Sequence, residues 1–289
     1  MNSKKIISII FLLITVLAWG ISFISIKISL VAFPPASLAF YRFFIAGIIQ
    51  YLMMKRLKIS EKIDKKDLPL LIIAGLTGIT LYYILENNGL MRISANDASV
   101  IVAMLPVITV IIERFILKKK INIISMLGII LSIIGVFLVI GAKLEGGSIV
   151  GYSLMFLSSI SFAVYLIITK PLFEKYSDIT IAFYQSLIGC IGFIPFIIFE
   201  EVRWDLVNTN ILLNFLFLAI ICSAVANYIY LYALNNTSVS VTAIFLNLVP
   251  VVTFIFSYLL YDERLSPIQL IGAIIVIISV TMVTNTETS

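Results

Sequence analysis

The sequence contains no histidine among its 289 residues, and it contains only two cysteines. Without an imidazole, the chain can form neither a histidine-based metal site nor a nucleophilic triad that needs histidine as its base. The G-x-x-x-x-G-K-[ST] pattern of a P-loop is also absent, which excludes ATP binding of that kind. We therefore predict no metal site, no cofactor and no catalytic residues, and we expect that the protein is not an enzyme.

Charge is scarce as well, since 12% of the residues are charged, against roughly 25% in a soluble domain. The net charge of +5 does not indicate a nucleic-acid partner, because the basic residues are distributed among loops in a way that predicts topology. Cys190 and Cys222 both fall inside long apolar runs. There a cysteine usually serves as a small apolar residue, so we predict neither a disulfide nor a redox pair.

Apolar residues dominate the chain: 61% of it is hydrophobic, and the mean hydropathy is +1.15. They form continuous runs of about 20 residues, the length that an α-helix needs to cross a hydrocarbon core of ~30 Å. Barrel strands would alternate with period two, and these runs do not. The runs, numbered span 1 to span 10, cover residues 6–29, 36–54, 68–88, 95–117, 121–140, 149–169, 178–199, 210–232, 238–260 and 266–284. We predict an all-α membrane protein with ten transmembrane helices in one transmembrane domain over residues 1–289.

The distribution of lysine and arginine predicts the orientation of the spans. With the N-terminus inside, Lys27 and Arg42 lie within spans and nearly all other basic residues lie on the inner side. The outer loops hold only Arg92, Lys143, Arg203 and Arg264. This bias places both termini in the cytoplasm. The first apolar run is too long for a signal-peptide core of about 7–15 residues, so we interpret it as a retained span of a multi-pass protein in the cytoplasmic (inner or plasma) membrane.

The chain contains two related halves, repeat 1 at about 6–140 and repeat 2 at about 149–284. The segment 39–42, Ala-Phe-Tyr-Arg, recurs 143 residues later as 182–185, Ala-Phe-Tyr-Gln. Each half holds five spans, an odd number, so the second half must enter the membrane from the opposite face. Two inverted five-helix repeats of this kind are how many secondary transporters build a central site with two gates.

Several motifs occur in the order and spacing of a known family. They are Trp19-Gly20 in span 1, Arg42 in span 2, the helix pairs from Pro106 to Gly128 and from Pro250 to Gly272, and the turn Asp262-Glu263-Arg264 before span 10. In these features the chain resembles the EamA family of the drug/metabolite transporter superfamily over almost its whole length. The resemblance implies a ten-helix carrier of the cytoplasmic membrane that moves small metabolites, often amino acids or related compounds, and often outward.

Pro106 and Pro250 lie 144 residues apart, in the middle of spans 4 and 9. A proline inside a helix removes one backbone hydrogen bond and clashes with the preceding turn, so each proline should kink its helix. Matching kinks in equivalent helices would suit two symmetric gates. The alternative is that both prolines only shape packing, because proline is frequent in membrane helices.

Lys27, Arg42 and Glu86 lie in the outward half of repeat 1, on predicted spans 1, 2 and 3. A charge at the bilayer centre costs about 2.5–3.5 kcal/mol on insertion scales, so such residues are candidates for function. Two cations with one carboxylate could hold an anion or a zwitterion, or could bind and release a proton. Lys27 and Glu86 lie near span ends and could instead reach the interface. Gln185 is the counterpart of Arg42 in repeat 2.

Polar and aromatic residues within the spans complete the candidate solute pathway. Tyr83 and Glu86 are three residues apart, as are their counterparts Asn227 and Tyr230, so each pair shares a helix face. Asn247 could bind solute or could satisfy backbone groups freed at Pro250. The candidate pathway residues are Trp19, Arg42, Tyr82, Tyr83, Glu86, Asn87, Tyr165, Gln185, Asn227, Tyr230 and Asn247.

Together these features predict a secondary transporter that moves a small-molecule solute by alternating access through a central cavity. Spans 3, 4, 8 and 9 would frame the cavity and spans 1 and 6 would close it, an arrangement that rests partly on the resemblance. The resemblance also implies an amino acid or related compound as the cargo. Two alternatives are a component that flips a lipid-linked headgroup and a passive uniporter or channel. A proton is the candidate coupling ion, and the sequence leaves the oligomeric state open.

Overall fold

The structure, a computed structural model, describes residues 3–117, 123–141, 148–237, 242, 245–246, 248–262, 264 and 266–287. Within these ranges every regular element is helical, as predicted. In the same ranges seven helices are long and apolar enough to cross a membrane, and shorter apolar helices cover Met126–Leu138, Val249–Leu260 and Pro267–Ser279. The protein is therefore an all-α, multi-pass membrane protein.

The helices follow the predicted spans in order. The helices that correspond to spans 1, 2, 5, 6, 7, 9 and 10 are, in that order, Ser3–Ser29, Pro35–Arg56, Ile123–Gly141, Ile149–Thr169, Asp178–Ile197, Val249–Tyr261 and Pro267–Glu287. Span 3 is divided into Leu68–Gly75, Leu76–Leu81 and Tyr82–Leu90, span 4 into Ala95–Val102 and Leu105–Leu117, and span 8 into Thr209–Leu216, Phe217–Ala226 and Asn227–Asn236. Short 3₁₀ turns at Lys170–Glu174 and Trp204–Leu206 follow spans 6 and 7.

The middle segments of spans 3 and 8, Leu76–Leu81 and Phe217–Ala226, are π-helical. Moved by the 144-residue offset, the first falls inside the second, so both repeats carry a π segment at the same place. A π segment replaces the regular backbone ladder with wider turns and changes the directions of the side chains around it. Neighbouring helices bond to both segments: Ser161 Oγ donates to the Thr77 carbonyl at 2.7 Å, and Trp19 Nε1 donates to the Cys222 carbonyl at 3.4 Å.

The structure corrects the expectation that Pro106 and Pro250 kink continuous helices. Pro106 is the second residue of Leu105–Leu117, and two turn residues separate that helix from the preceding segment of span 4. Pro250 likewise is the second residue of Val249–Tyr261, which follows a turn at Leu248. A proline in the first helical turn lacks only an N–H that would have no helical partner there. Both prolines therefore begin a helix directly after an interruption.

Spans 2 and 7 are each capped at the N-terminus by a carboxylate, which comes from the loop that follows the other span. Glu200, after span 7, accepts hydrogen bonds from the backbone N–H groups of Ala36 and Ser37 at 3.0 and 2.6 Å. Glu61, after span 2, accepts from both the backbone N–H and the hydroxyl of Ser177 at 2.9 Å. A carboxylate at a helix N-terminus satisfies unpaired N–H groups and interacts favourably with the helix dipole. The second helices of the two repeats thus cap one another.

Helix packing has the same form when the two halves are exchanged. Span 2 packs along span 7 and span 5 packs along span 10, so equivalent helices contact each other. Span 1 contacts spans 8 and 9, and its counterpart, span 6, contacts spans 3 and 4. Spans 5 and 10 come so close that a Cβ added at Gly135 would lie 2.8 Å from the Gly272 carbonyl oxygen. Small residues at such crossings let membrane helices pack backbone to backbone.

The loops also form two pairs of contacts that are equivalent when the two halves are exchanged. The segment after span 6 reaches the loop after span 2, where Lys175 Nζ lies 2.9 Å from an Asp67 carboxylate oxygen and the Tyr176 hydroxyl donates to that carboxylate at 2.8 Å. The hydrogen bond from Lys175 lowers the pKa of Asp67, and the same bond raises the pKa of Lys175. In the other pair of loops, the Arg203 backbone N–H donates to the Ala32 carbonyl at 3.0 Å.

Candidate functional site

A cavity with about 730 Å³ of empty space lies between spans 1, 2, 3, 4, 6, 8 and 9. The lining is mostly apolar and includes a few polar groups. The lining residues are Trp19, Ser22, Phe23, Arg42, Phe43, Gly78, Ile79, Tyr82, Tyr83, Glu86, Val102, Leu105, Ser159, Phe162, Tyr165, Asn227, Leu246 and Val249.

One wall of the cavity is aromatic and centres on Phe162 of span 6. The Phe162 ring lies 5.0 Å from the Tyr82 ring, 5.1 Å from the Tyr165 ring and 6.2 Å from the Trp19 ring, measured between centroids. Gly78 lets the Tyr165 ring lie directly against span 3, because any side chain at that position would overlap the ring. Such a wall suits an apolar or planar group of a solute.

Arg42 of span 2 is 1% exposed and contributes the cavity's cation. Its Nε donates to Ser223 Oγ at 3.2 Å, and its Cζ lies 4.9 Å from the centre of the Tyr83 ring. Among the described residues, its Nη1 is buried without a hydrogen-bond partner. A guanidinium remains charged in proteins, and a buried charge without a partner is costly. Arg42 therefore offers a donor for an anionic group in the cavity.

Glu86 of span 3 is 4% exposed and contributes the cavity's carboxylate. Tyr82 lies one helical turn earlier, and its hydroxyl donates to Glu86 Oε1 at 2.6 Å. The second oxygen, Oε2, is buried and has no hydrogen-bond partner in the part of the chain that the structure describes. The carboxylate is thus held at one oxygen, while the other can accept from an ammonium group or a proton.

Arg42 and Glu86 line the same cavity, yet the described residues show no salt bridge between them. Each makes one side-chain hydrogen bond, and each keeps one buried polar atom without a hydrogen-bond partner among the described residues. In a low-dielectric interior, such a pair favours a bound group of opposite charge at each end. The site can therefore bind a solute at two points, through a donor cation and an acceptor carboxylate.

Gln185, the counterpart of Arg42, lies behind the cavity wall and is fully buried. Its Oε1 accepts from the Tyr165 hydroxyl at 3.1 Å, and its Nε2 donates to Thr169 Oγ1 at 3.0 Å. These bonds tie spans 6 and 7 together. Gln185 therefore positions Tyr165 and has no place in the lining.

The structure brings most of the sequence-predicted pathway residues together. Those in the lining are Trp19, Arg42, Tyr82, Tyr83, Glu86, Tyr165 and Asn227. Asn87 instead donates to the Pro35 carbonyl at 2.8 Å, and Tyr230 is fully buried with its ring 4.9 Å from the Trp19 ring. Asn247 and, in the turn before span 10, Glu263 lie outside the described residues. Lys27 is exposed and donates to the Ile93 carbonyl at 2.6 Å.

Sequence reasoning missed three parts of the site. Phe43 of span 2 was missed beside the expected Arg42, because span 2 was not among the six spans expected to frame or close the cavity. Phe162 was missed, yet it is the counterpart of Trp19 at the 143-residue offset, so the repeat could have identified it. Ser223, the partner of Arg42, has the apolar counterpart Ile79, and no pattern in the sequence marks it.

Comparison with known sequences places the chain among transporters. The sequence profile of the EamA-like transporter family matches residues 6–141 and again residues 149–285. An "Uncharacterized transporter" of Archaeoglobus fulgidus is 31% identical, and the alignment covers 98% of each chain. A protein of Streptantibioticus cattleyicolor named "Probable terminal-alkyne amino-acid exporter" is 23% identical, with 94% of this chain and 91% of that protein aligned.

Comparison with solved structures supports the fold. One crystal structure superposes with a TM-score of 0.72 at 15% sequence identity. The superposition covers 100% of this chain and 98% of the other. The similarity therefore extends over the whole arrangement of helices and is not limited to a shared pair of spans.

Proposed function

Because the chain belongs to the EamA-like transporter family, we propose that it is a secondary transporter that carries a small zwitterionic metabolite, an amino acid or a related compound, through the central cavity. An α-amino acid presents a carboxylate and an ammonium group on one carbon, and it needs space beside them for its side chain. The Streptantibioticus relative, whose name is that of an amino-acid exporter, supports this solute class and outward transport.

The observation that carries the proposal is a pair of atoms in one cavity, Arg42 Nη1 and Glu86 Oε2, that have no hydrogen-bond partner among the described residues. A simple anion would pair with Arg42 and leave Glu86 unpaired, and a simple cation would do the reverse. Leaving a buried polar group unpaired costs about 1–3 kcal/mol, and more when the group is charged. A solute with both charges pairs with both groups, while its side chain meets the aromatic wall around Phe162.

The proposed mechanism is alternating access between two inverted five-helix repeats, about 6–140 and 149–284. It is supported by helix contacts that keep their form when the halves are exchanged, and by the reciprocal caps at Glu61 and Glu200. The interruptions before Pro106 and Pro250 lie at the cavity, since Leu105 and Val249 line it. Bending at these two interruptions would open the cavity to one face and then the other.

The solute class is tested in proteoliposomes with three matched probes: leucine, isopentylamine, which lacks the carboxylate, and 4-methylpentanoate, which lacks the amine. We expect saturable leucine counterflow, with either analogue competing at least about tenfold more weakly, because each satisfies only one of the two charged groups. Equal competition by all three probes would contradict two-point recognition. If no leucine or other amino acid is carried and a lipid-linked headgroup is flipped instead, the flippase alternative replaces the proposal.

Glu86→Gln tests the carboxylate and the candidate coupling proton together. We expect the variant to bind leucine about tenfold more weakly but to bind 4-methylpentanoate as the parent protein does, since only the ammonium loses its charged partner. Asn88→Ala, a nearby change outside the cavity lining, is the control. An imposed pH gradient that drives leucine uptake in the parent and fails to do so in the variant would make Glu86 the coupling group. Uptake that is saturable but indifferent to the gradient would indicate a uniporter, and flux without counterflow would indicate a channel.

Orientation is tested by labelling single cysteines in a background where Cys190 and Cys222 are replaced by alanine. Lys62 and Glu201 are exposed and follow the second helices of the two repeats. With both termini in the cytoplasm, we expect an impermeant maleimide to label Glu201→Cys in intact cells and Lys62→Cys only after permeabilisation. Labelling of both from the same side would contradict inversion.

A further inference from the structure

The π segment of span 8 makes a direct contact with the cavity's cation. Ser223 lies within this segment, Phe217–Ala226, and is fully buried. Its hydroxyl accepts from Arg42 Nε at 3.2 Å. Building on the proposed function, we propose that Ser223 is a positioning residue that directs the Arg42 guanidinium toward the anionic end of the solute.

The Ser223 hydroxyl bonds to another span, as the Ser161 hydroxyl does, whereas several other buried serines bond within their own helices. Ser29 and Ser158, in α-helical spans, donate to carbonyls of their own helices, at Ser25 and Met155, over 2.8 and 2.7 Å. Such local bonds are the usual outcome for serine in a membrane helix. Ser223 instead bonds across to span 2, from a π segment whose wider turns change where side chains point.

This contact joins span 2 of repeat 1 to span 8 of repeat 2, and the equivalent contact between spans 7 and 3 cannot form. The counterpart of Arg42 is Gln185, and the counterpart of Ser223 is Ile79. Spans 2 and 8 supply a guanidinium and a hydroxyl at this contact. At the equivalent place, span 7 supplies the Gln185 amide, which bonds elsewhere, to Tyr165 and Thr169. Arg42 and Ser223 therefore occur together between spans 2 and 8, and both are replaced between spans 7 and 3.

The consequence for Arg42 follows from the shape of its side chain. A guanidinium is planar, so a bond at Nε fixes the direction of the whole fork. Contact with the Tyr83 ring at 4.9 Å provides a second constraint. The unpartnered Nη1 is then held ready for a carboxylate and does not have to be ordered when the solute arrives.

The test measures binding of leucine and of isopentylamine to Ser223→Ala through quenching of Trp19, which lines the cavity, in a Trp204→Phe background. We expect leucine affinity to fall about three- to tenfold and isopentylamine affinity to stay unchanged, because the lost bond acts only on the carboxylate partner. Ser223→Thr, which keeps the hydroxyl, should restore leucine affinity. In an Arg42→Gln background, Ser223→Ala should cause no further loss. Ser132→Ala, which removes a buried hydroxyl in span 5, is the matched control.

The outcomes separate the two proposals. If the parent protein binds neither leucine nor any other amino acid, the proposed function fails. If the parent binds leucine and Ser223→Ala binds it equally well, only the positioning role of Ser223 fails. An equal loss for leucine and isopentylamine would likewise overturn that role, since it would show a general change in the cavity.

Discussion

Arg42 and Gln185 stand 143 residues apart at equivalent positions of the two repeats, and their surroundings differ sharply. Both are almost completely buried. Arg42 reaches the cavity, where one nitrogen has no partner among the described residues. Gln185 stays behind the cavity wall, with its amide oxygen and nitrogen each bonded to a side chain of span 6. One repeat thus presents a cation to the cavity where the other forms structural hydrogen bonds.

The same contrast extends to the rest of the polar lining. Within the described part of the chain, one carboxylate oxygen of Glu86 in span 3 has no hydrogen-bond partner, whereas its counterpart in span 8, Tyr230, packs against Trp19. The backbone relation between the halves is nevertheless kept, in the paired π segments and the reciprocal caps. The helix contacts of the two halves are alike, whereas their cavity chemistry differs. Matching halves suit a movement between two faces, while an asymmetric site suits a solute whose two ends differ.

The largest expected effect comes from giving repeat 2 the residue of repeat 1, by Gln185→Arg. The new guanidinium would be buried behind the cavity without an anion, and a buried charge without a partner costs about 3–5 kcal/mol. We expect a loss of most folded protein, measured as monodisperse yield in detergent. Gln185→Met, which is of similar length and uncharged, is the control and should retain more folded protein. A well-folded Gln185→Arg variant would show that the two sites are more alike than their contacts indicate.

The reverse exchange, Arg42→Gln, should leave the protein folded, because it removes a buried charge. It should weaken leucine binding about 10- to 100-fold, which corresponds to a charge-assisted hydrogen bond of about 1.5–3 kcal/mol. The measurement is the concentration dependence of counterflow, with Arg92→Gln in the loop between spans 3 and 4 as the control. Isopentylamine binding should change little. Loss of folded protein with Arg42→Gln would instead assign the guanidinium a structural role.

The smallest effect is expected at the reciprocal caps, which the two halves share. Glu200→Gln and Glu61→Gln each weaken bonds at a helix N-terminus, worth about 0.5–2 kcal/mol. We expect similar decreases of about 2–5 °C in Tm for the two variants, measured by thermal unfolding in detergent. Glu201→Gln, at the exposed neighbour of Glu200, is the control. A decrease confined to one of the two caps would show that the symmetry of the scaffold does not extend to its stability.

Much of this fold could be predicted from sequence, because the membrane in which the protein lies imposes strict rules on the chain. Ten apolar runs of sufficient length predicted helices, and each described run is helical. Tyr83 and Glu86, spaced by three, were expected to share a helix face, and both line the cavity. Errors arose where local rules permit two outcomes. Pro106 could bend a helix or begin one, and the interruption before it decided for the second.

The sequence by itself determined the membrane location, the helical class and the two related halves, because apolar length and internal repetition are properties of the chain read in order. Only the tertiary structure decided which polar residues meet. Arg42 and Ser223 are 181 residues apart, and Arg42 and Gln185 look equivalent until their neighbours are known. Whether a buried polar group binds solute or stabilises the fold depends on whether its partners are already present, and those partners come from other helices.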